Sequence, residues 1–370
     1  MTQSIALFVD AYRLLNARRI FWFTLIITGL VVLCFALVGI NDQGIRIVVW
    51  DIEIPGVNTR TGWTPEFFYK FIFNNLGIGI WLSWVATILG LVTTSGMFPE
   101  FISTGSIDLI LSKPIGRFRL FITKYLSGLL FVVLQVCVFC VGSFVVIGLR
   151  GGVWLPGIFI SIPLVVLFFS YLYAFSVFFG ILTRSTIAAL LLTILCWFVI
   201  FVVQSSENTL LFFVKYQEQK VAAYEENLER SRTQLAGVEN PEDRERWDFM
   251  YKTIEVREER LEEARDSGSG VRIAHSILSG AMTVLPKTSQ TLDLLERWTV
   301  DLADLPERDI DESPPVITED GEFEANEAEI GLAVRDEVNS RSPLWIIGTS
   351  LLFELVLCLG AGVIFWRRDY

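Results

Sequence analysis

Six long apolar stretches separated by polar segments set the pattern of this chain. They lie at about 20–40, 77–97, 125–149, 156–182, 187–204 and 344–366. A helix that crosses the hydrocarbon of a bilayer needs roughly 20 apolar residues, and all six reach or approach that length, the fifth being the shortest. Each predicts a transmembrane helix, because a helix satisfies its own backbone in lipid. The first is a full span with no small-residue cleavage site behind it, so it does not have the form of a signal peptide. With 52% hydrophobic residues and a mean hydropathy of +0.52, the chain is too apolar for an ordinary soluble protein. The expected fold class is an all-α polytopic membrane protein of six transmembrane helices. Residues 1–204 hold the first five spans, 205–342 form a polar domain, and 343–370 carry the sixth span and a short tail.

Among the polar segments, Phe98–Lys124 carries the most specific pattern. Ile107, Ile110 and Leu111 fall at i, i+3 and i+4 and share one helical face. Asp108 and Ser112 lie on another face, Ser106 has the chemistry of an N-cap, and Pro114 disfavours helix at Lys113. Lys113, Arg117, Arg119 and Lys124 then crowd the approach to the third span. The spacing therefore predicts a short amphipathic helix held between two spans, suited to passing force from a soluble partner or to lying passively at the headgroups.

Lysine and arginine in short loops set orientation. With both termini in the cytoplasm, the inner segments 1–19, 98–124, 183–186 and 367–370 hold 10 Lys/Arg, and the outer loops 41–76 and 150–155 hold 4. The expected location is the cytoplasmic membrane, with Phe98–Lys124 on the cytoplasmic side.

Residues 205–342 then lie outside. They contain 32 of the 41 acidic and 16 of the 30 basic residues, a net of −16 that leaves +5 for the rest. An acidic domain argues against a nucleic-acid partner. Val214, Val221, Leu228 and Leu235 recur every seven residues, as do Trp247, Ile254 and Leu261 after a break. The break runs Gly237, Asn240, Pro241, Glu242, Asp243, which closes one helix and opens the next. This predicts a helical hairpin over 207–266, followed by a flexible hinge at the SGSG of 267–270, a short helix over Thr288–Trp298 and an extended acidic run from Asp301 to Glu329.

The stretch PEFISTGSIDLILSKPIGRFRLFITKYLSG resembles the cytoplasmic loop of type-2 ABC exporter permeases, through Glu100, Thr104-Gly105-Ser106, Ile107–Leu111, Lys113-Pro114, Arg117 and Arg119. In that family this loop, here 98–118, is the coupling helix that docks on a separate ATPase subunit. The resemblance implies that Glu100, Thr104, Ser106, Ile107, Asp108, Leu109, Ile110, Lys113 and Arg117 form the ATPase-coupling surface. The N-terminal IALFVDAYRLLNARRIFW resembles the family's amphipathic elbow helix, and FWRRDY its usual C-terminus. The likeness departs at Phe101, where a charged residue is common, and in the large helical external insertion between helices five and six. It implies an ABC ATPase subunit and a second permease subunit as partners, in the lipid bilayer, with an extracytoplasmic protein as a further partner.

Candidate chemistry within the chain is thin. No G-x-x-x-x-G-K-[ST] loop occurs, so ATP and Mg belong to the partner and no cofactor is expected here. All five cysteines lie in apolar segments. Cys137 and Cys140 share a helix face, as packing residues or, alternatively, as a metal or redox pair. His275 is the single histidine, which cannot build a typical zinc site alone, and no G-x-S-x-G surrounds a serine. No enzyme is expected. Glu354, in the middle of the last span, costs about 2.5–3.5 kcal/mol on insertion scales unless it faces a cavity or partner. Two roles stay open for it: a group on a translocation path, or a protonated carboxyl bonded to a neighbouring helix through Gln135. The function expected is that of a permease subunit. The alternative is a non-transporting scaffold or mechanotransmitter whose external hairpin regulates an envelope protein.

Overall fold

The computed structural model describes residues 19–48, 50–53, 58–61, 63–103, 116–236, 244–299, 316–318 and 322–367. Among them, six helical stretches are long and apolar enough to cross a membrane: Arg19–Leu37, Pro65–Ile102, Arg117–Gly151, Pro156–Thr183, Thr186–Ala236 and Pro343–Arg367. Each covers all or most of one apolar segment of the sequence. The elbow residues 1–18 lie outside the described residues.

The chain divides into two units, the first comprising Met1–Phe201, Leu285–Glu307 and Pro343–Tyr370. It opens with α1 (Arg19–Leu37), which packs on α5 (Arg117–Gly151) through the ring pairs Phe21–Phe131 and Phe35–Phe139. The centre is α6 (Ser161–Thr183), which packs against α5, α11 (Pro343–Arg367) and α9 (Thr288–Thr299). Phe168, Phe169, Tyr171, Leu172 and Tyr173 of α6 are buried in succession. A helix that is apolar all round is one that neighbours surround.

Two parts of this unit depart from the sequence expectation. Residues 41–76 are not merely a loop. Val38–Asn41 (β1), Gly44–Ile47 (β2) and Trp50–Ile52 (β3) form an antiparallel sheet with β2 in the middle. Asn41 Oδ1 accepts hydrogen bonds from the Gln43 and Gly44 amides. Gly44 has φ +143°, and a Cβ there would collide with the Ile52 carbonyl, so only glycine fits. The second span also begins earlier, at Pro65 rather than 77, and it is not one α-helix. It starts as α2 (Pro65–Ile72), capped by the Thr64 side chain. It then runs as a π-helix over Phe73–Ala86 and continues as α3 (Thr87–Thr94) and α4 (Met97–Ser103).

The second unit comprises Val202–Val284 and Arg308–Ser342. Its main elements are the distal part of α7 (Thr186–Ala236) and α8 (Arg244–Val284), with the two-stranded β4 (Val316–Ile317) and β5 (Phe323–Glu324), and α10 (Glu327–Ser340). The contacts Arg232–Glu258, Arg265–Glu225 and His275–Glu207 run in opposite order along α7 and α8, so the two helices are antiparallel. Tyr224, Leu228, Ile254, Leu261 and Ala264 form the buried seam, with Val221 and Leu235 packed on it. The tip, 237–243, lies outside the described residues. The SGSG segment is not a hinge: α8 runs through it, with Ser267 and Ser269 donating to carbonyls three residues back and Gly268 lying against the Gln217 side chain. Helix packing thus overrides the weak propensity of glycine. Part of the acidic run is likewise helical, since Asn326 caps the start of α10.

Candidate functional site

Of the candidate coupling residues, Thr104, Ser106, Ile107, Asp108, Leu109, Ile110 and Lys113 lie outside the described residues. Glu100 and Arg117 flank them. Glu100 is exposed on α4, which ends at Ser103. Arg117 opens α5 and donates from Nη1 to the Trp366 carbonyl at 3.1 Å, which brings the start of α5 to the end of α11. Phe98 of α4, Phe121 of α5 and Phe365 of α11 pack ring on ring, with centroids 5.4–6.4 Å apart. The end of α6 joins them: a Cβ on Gly180 would stand 3.2 Å from the Pro99 ring. Four helix ends therefore frame the 104–115 connection. Phe101, the position that departs from the family pattern, is buried, and Lys124 Nζ stands 5.2 Å from its ring centroid. It is a packing residue whose ring holds a basic side chain.

Glu354 and Gln135 are not brought together. Glu354 is 8% exposed. Its Oε1 accepts from Tyr125 Oη at 2.7 Å and its Oε2 from Ser170 Oγ at 2.8 Å. The Gln135 amide is buried with no hydrogen-bond partner of its own, so the bond expected between them is replaced by hydroxyls of α5 and α6. Beside Glu354, a groove of about 570 Å³ runs between α5 and α11, lined by Phe118, Ile122, Leu351 and Leu355 among others. The carboxyl is thus tied to the helix core while bordering an apolar recess, and both roles considered for it remain compatible with this placement.

The sequence assigns Thr288–Trp298 to the external domain, but α9 belongs to the first unit. Leu294 and Leu295 join the same core as the spans. Just before α9, the Lys287 side chain is fully buried. Its Nζ donates to Thr349 Oγ1 at 2.6 Å and lies 4.1 Å from the Trp345 ring centroid, while its amide donates to Ser350 Oγ. A buried ammonium needs such partners, so Lys287 anchors α9 to α11. Between α9 and the π-helix lies a cavity of about 270 Å³. Nothing in the hydropathy pattern announces it, because its walls come from four separate segments.

In the second unit, Glu207 is 1% exposed and accepts from Arg341 Nη2 at 2.5 Å, with His275 Nε2 at 3.5 Å. The charges close on themselves, and the single histidine is part of an ion-pair cluster. Among the described residues no three His, Cys, Asp or Glu side chains gather as metal ligands. Cys140 is buried with its Sγ 3.2 Å from Ser161 Oγ, and Cys137 is half-buried beside it on α5.

A family model described as a protein of unknown function (DUF2705) matches residues 22–226, more than half of the chain. No curated protein and no solved structure matches the chain.

Proposed function

We propose that this chain, which belongs to that family of unknown function, is the membrane permease subunit of an ATP-driven ABC export system. It would lie in the cytoplasmic membrane with both termini inside, pair with a second permease subunit, and couple through Glu100–Arg117 to a separate ATPase that binds ATP and Mg. The observation that carries this reading is the frame of helix ends around 104–115. The rings of Phe98, Phe121 and Phe365 are interlocked there, so a push on the connection would reach α4, α5, α6 and α11 together. Close-packed side chains transmit such displacement because they have no room to absorb it. Replacing Asp108 by Arg is expected to abolish stimulation of the partner's ATP hydrolysis while leaving membrane insertion intact. Stimulation at the parental level would remove the coupling assignment.

A second reading, a mechanotransmitter that moves an external arm while nothing crosses, is favoured by one feature. α7 is a single helix of 51 residues, about 75 Å at 1.5 Å per residue, far longer than a bilayer's roughly 30 Å core requires. Excising 210–264 and closing the gap with a short Gly-Ser linker separates the two. Transport that survives the deletion supports the permease, whereas loss of output with the ATPase still bound supports the transmitter.

A further inference from the structure

We infer that the cavity between the π-helix and α9 is a binding site for the ammonium head of an amphiphile. The first observation is how the cavity is built. Asn74, Ile78, Gly79, Ser83 and Trp84 all line it. In an α-helix, at about 100° per residue, Asn74 and Ser83 would sit on opposite sides. The i→i+5 register of the π-helix instead stacks residues four or five apart, and so turns all five toward one space. Ser83 Oγ follows that register, donating to the Ile78 carbonyl at 2.6 Å. π-Helical geometry is rare and recurs mostly at functional sites. Here it extends over 14 residues, and the cavity is what it produces.

The second observation is the chemistry of the walls. Trp84 and Trp197 stack with centroids 4.8 Å apart, and Phe201 meets Trp84 edge-on at 5.2 Å. Asp293 of α9 brings a carboxylate, one helical turn from Ser289, and no lysine or arginine lines the space. Lys287, the nearest cation in sequence, is engaged with Thr349 and Trp345. The start of α9 contributes at most about half a positive charge, less than the full negative charge of Asp293. Aromatic faces beside a carboxylate favour a cation and disfavour phosphate or sulfate. At about 270 Å³ the cavity falls below the roughly 300–1,000 Å³ that encloses a drug-sized ligand. It therefore takes a head group and the first part of a chain, not a whole lipid.

The ammonium could come from a soluble amphiphile or from a choline headgroup of the membrane, and the test separates them. The full chain in phosphatidylglycerol nanodiscs is titrated calorimetrically with octyltrimethylammonium, with empty discs subtracted. One saturable site per chain is expected, weakened about tenfold by Asp293→Asn or by Trp197→Ala. Asp293→Glu and Trp197→Phe, which keep the charge and the ring, are expected to retain most of the affinity, and this guards against mere misfolding. In discs containing phosphatidylcholine, loss of the titration identifies the lipid headgroup as the occupant, whereas an unchanged titration identifies the soluble amphiphile. The inference fails if no saturable component appears in phosphatidylglycerol, if octyl sulfate binds equally well, or if Asp293→Asn binds like the parent. The measurement needs no ATPase, so its failure and that of the permease reading are distinguishable.

Discussion

Leu261 is the place to test what holds the second unit together. It is 7% exposed and packs with Tyr224, Leu228, Ile254 and Ala264 in the seam between α7 and α8. Four of these five side chains are large, and burying each contributes roughly 1.5–3 kcal/mol, so the seam contributes on the order of 10 kcal/mol before chain entropy is charged against it. Truncation to alanine in such a site costs about 2–5 kcal/mol through lost transfer and the cavity left behind. Taking about 3 kcal/mol, Leu261→Ala removes close to a third of the driving force and speeds amide exchange through local opening by about 150-fold. Hydrogen exchange read by mass spectrometry is expected to report this over 221–236 and 250–266. The core of α6 forms a separate cluster, and its amides should keep their protection. Val256→Ala, at a side chain 48% exposed, is the control and should change exchange less than about threefold. If Leu261→Ala also changes it less than about fivefold, the seam is not what orders these helices and the reasoning fails.

Two further outcomes follow from the described contacts. Tyr125→Phe, which removes a hydrogen bond to the buried Glu354 carboxyl, is expected to destabilise the first unit by about 1–3 kcal/mol, with Glu354→Gln milder and Glu354→Leu the most severe in tryptophan-monitored melting. Equal stability of Glu354→Gln and Glu354→Leu would show that the carboxyl serves the apolar groove rather than the fold. In the β1–β3 sheet, the hydrogen bond from Arg46 holds the Asp51 carboxyl below its usual range. A depressed folded value stabilises above the unfolded pKa near 3.9 and is lost as pH falls through the folded one, so NMR signals of 44–52 should stay native at pH 5 and shift only below about pH 4. A shift between pH 7 and 5 would contradict that pairing.

The membrane-crossing helices are legible in the chain because their cause is local. Lipid offers the backbone no hydrogen bonds, so roughly 20 consecutive apolar residues commit to a helix whatever surrounds them. The arms of the second unit are legible for a similar reason: Val221, Leu228 and Leu235 mark a seven-residue stripe that one antiparallel neighbour suffices to cover. What the sequence leaves open depends on partners distant along the chain. The SGSG of α8 has the composition of a linker, yet Gln217 packs on it from α7. Gly44 marks a turn only once Ile52 stands across from it. Lys287 looks like a solvated cation until Trp345 and Thr349 close over it, and that closure draws α9 into the first unit. Glu354 announces itself by its cost in lipid, but Tyr125 and Ser170, which satisfy it, lie 229 and 184 residues away. The π-helix left no trace in hydropathy, since a change of register from i+4 to i+5 alters which residues share a face without altering how apolar they are. Only the packing of the second span against α6, α7 and α9 decided which way Asn74, Ser83 and Trp84 would turn.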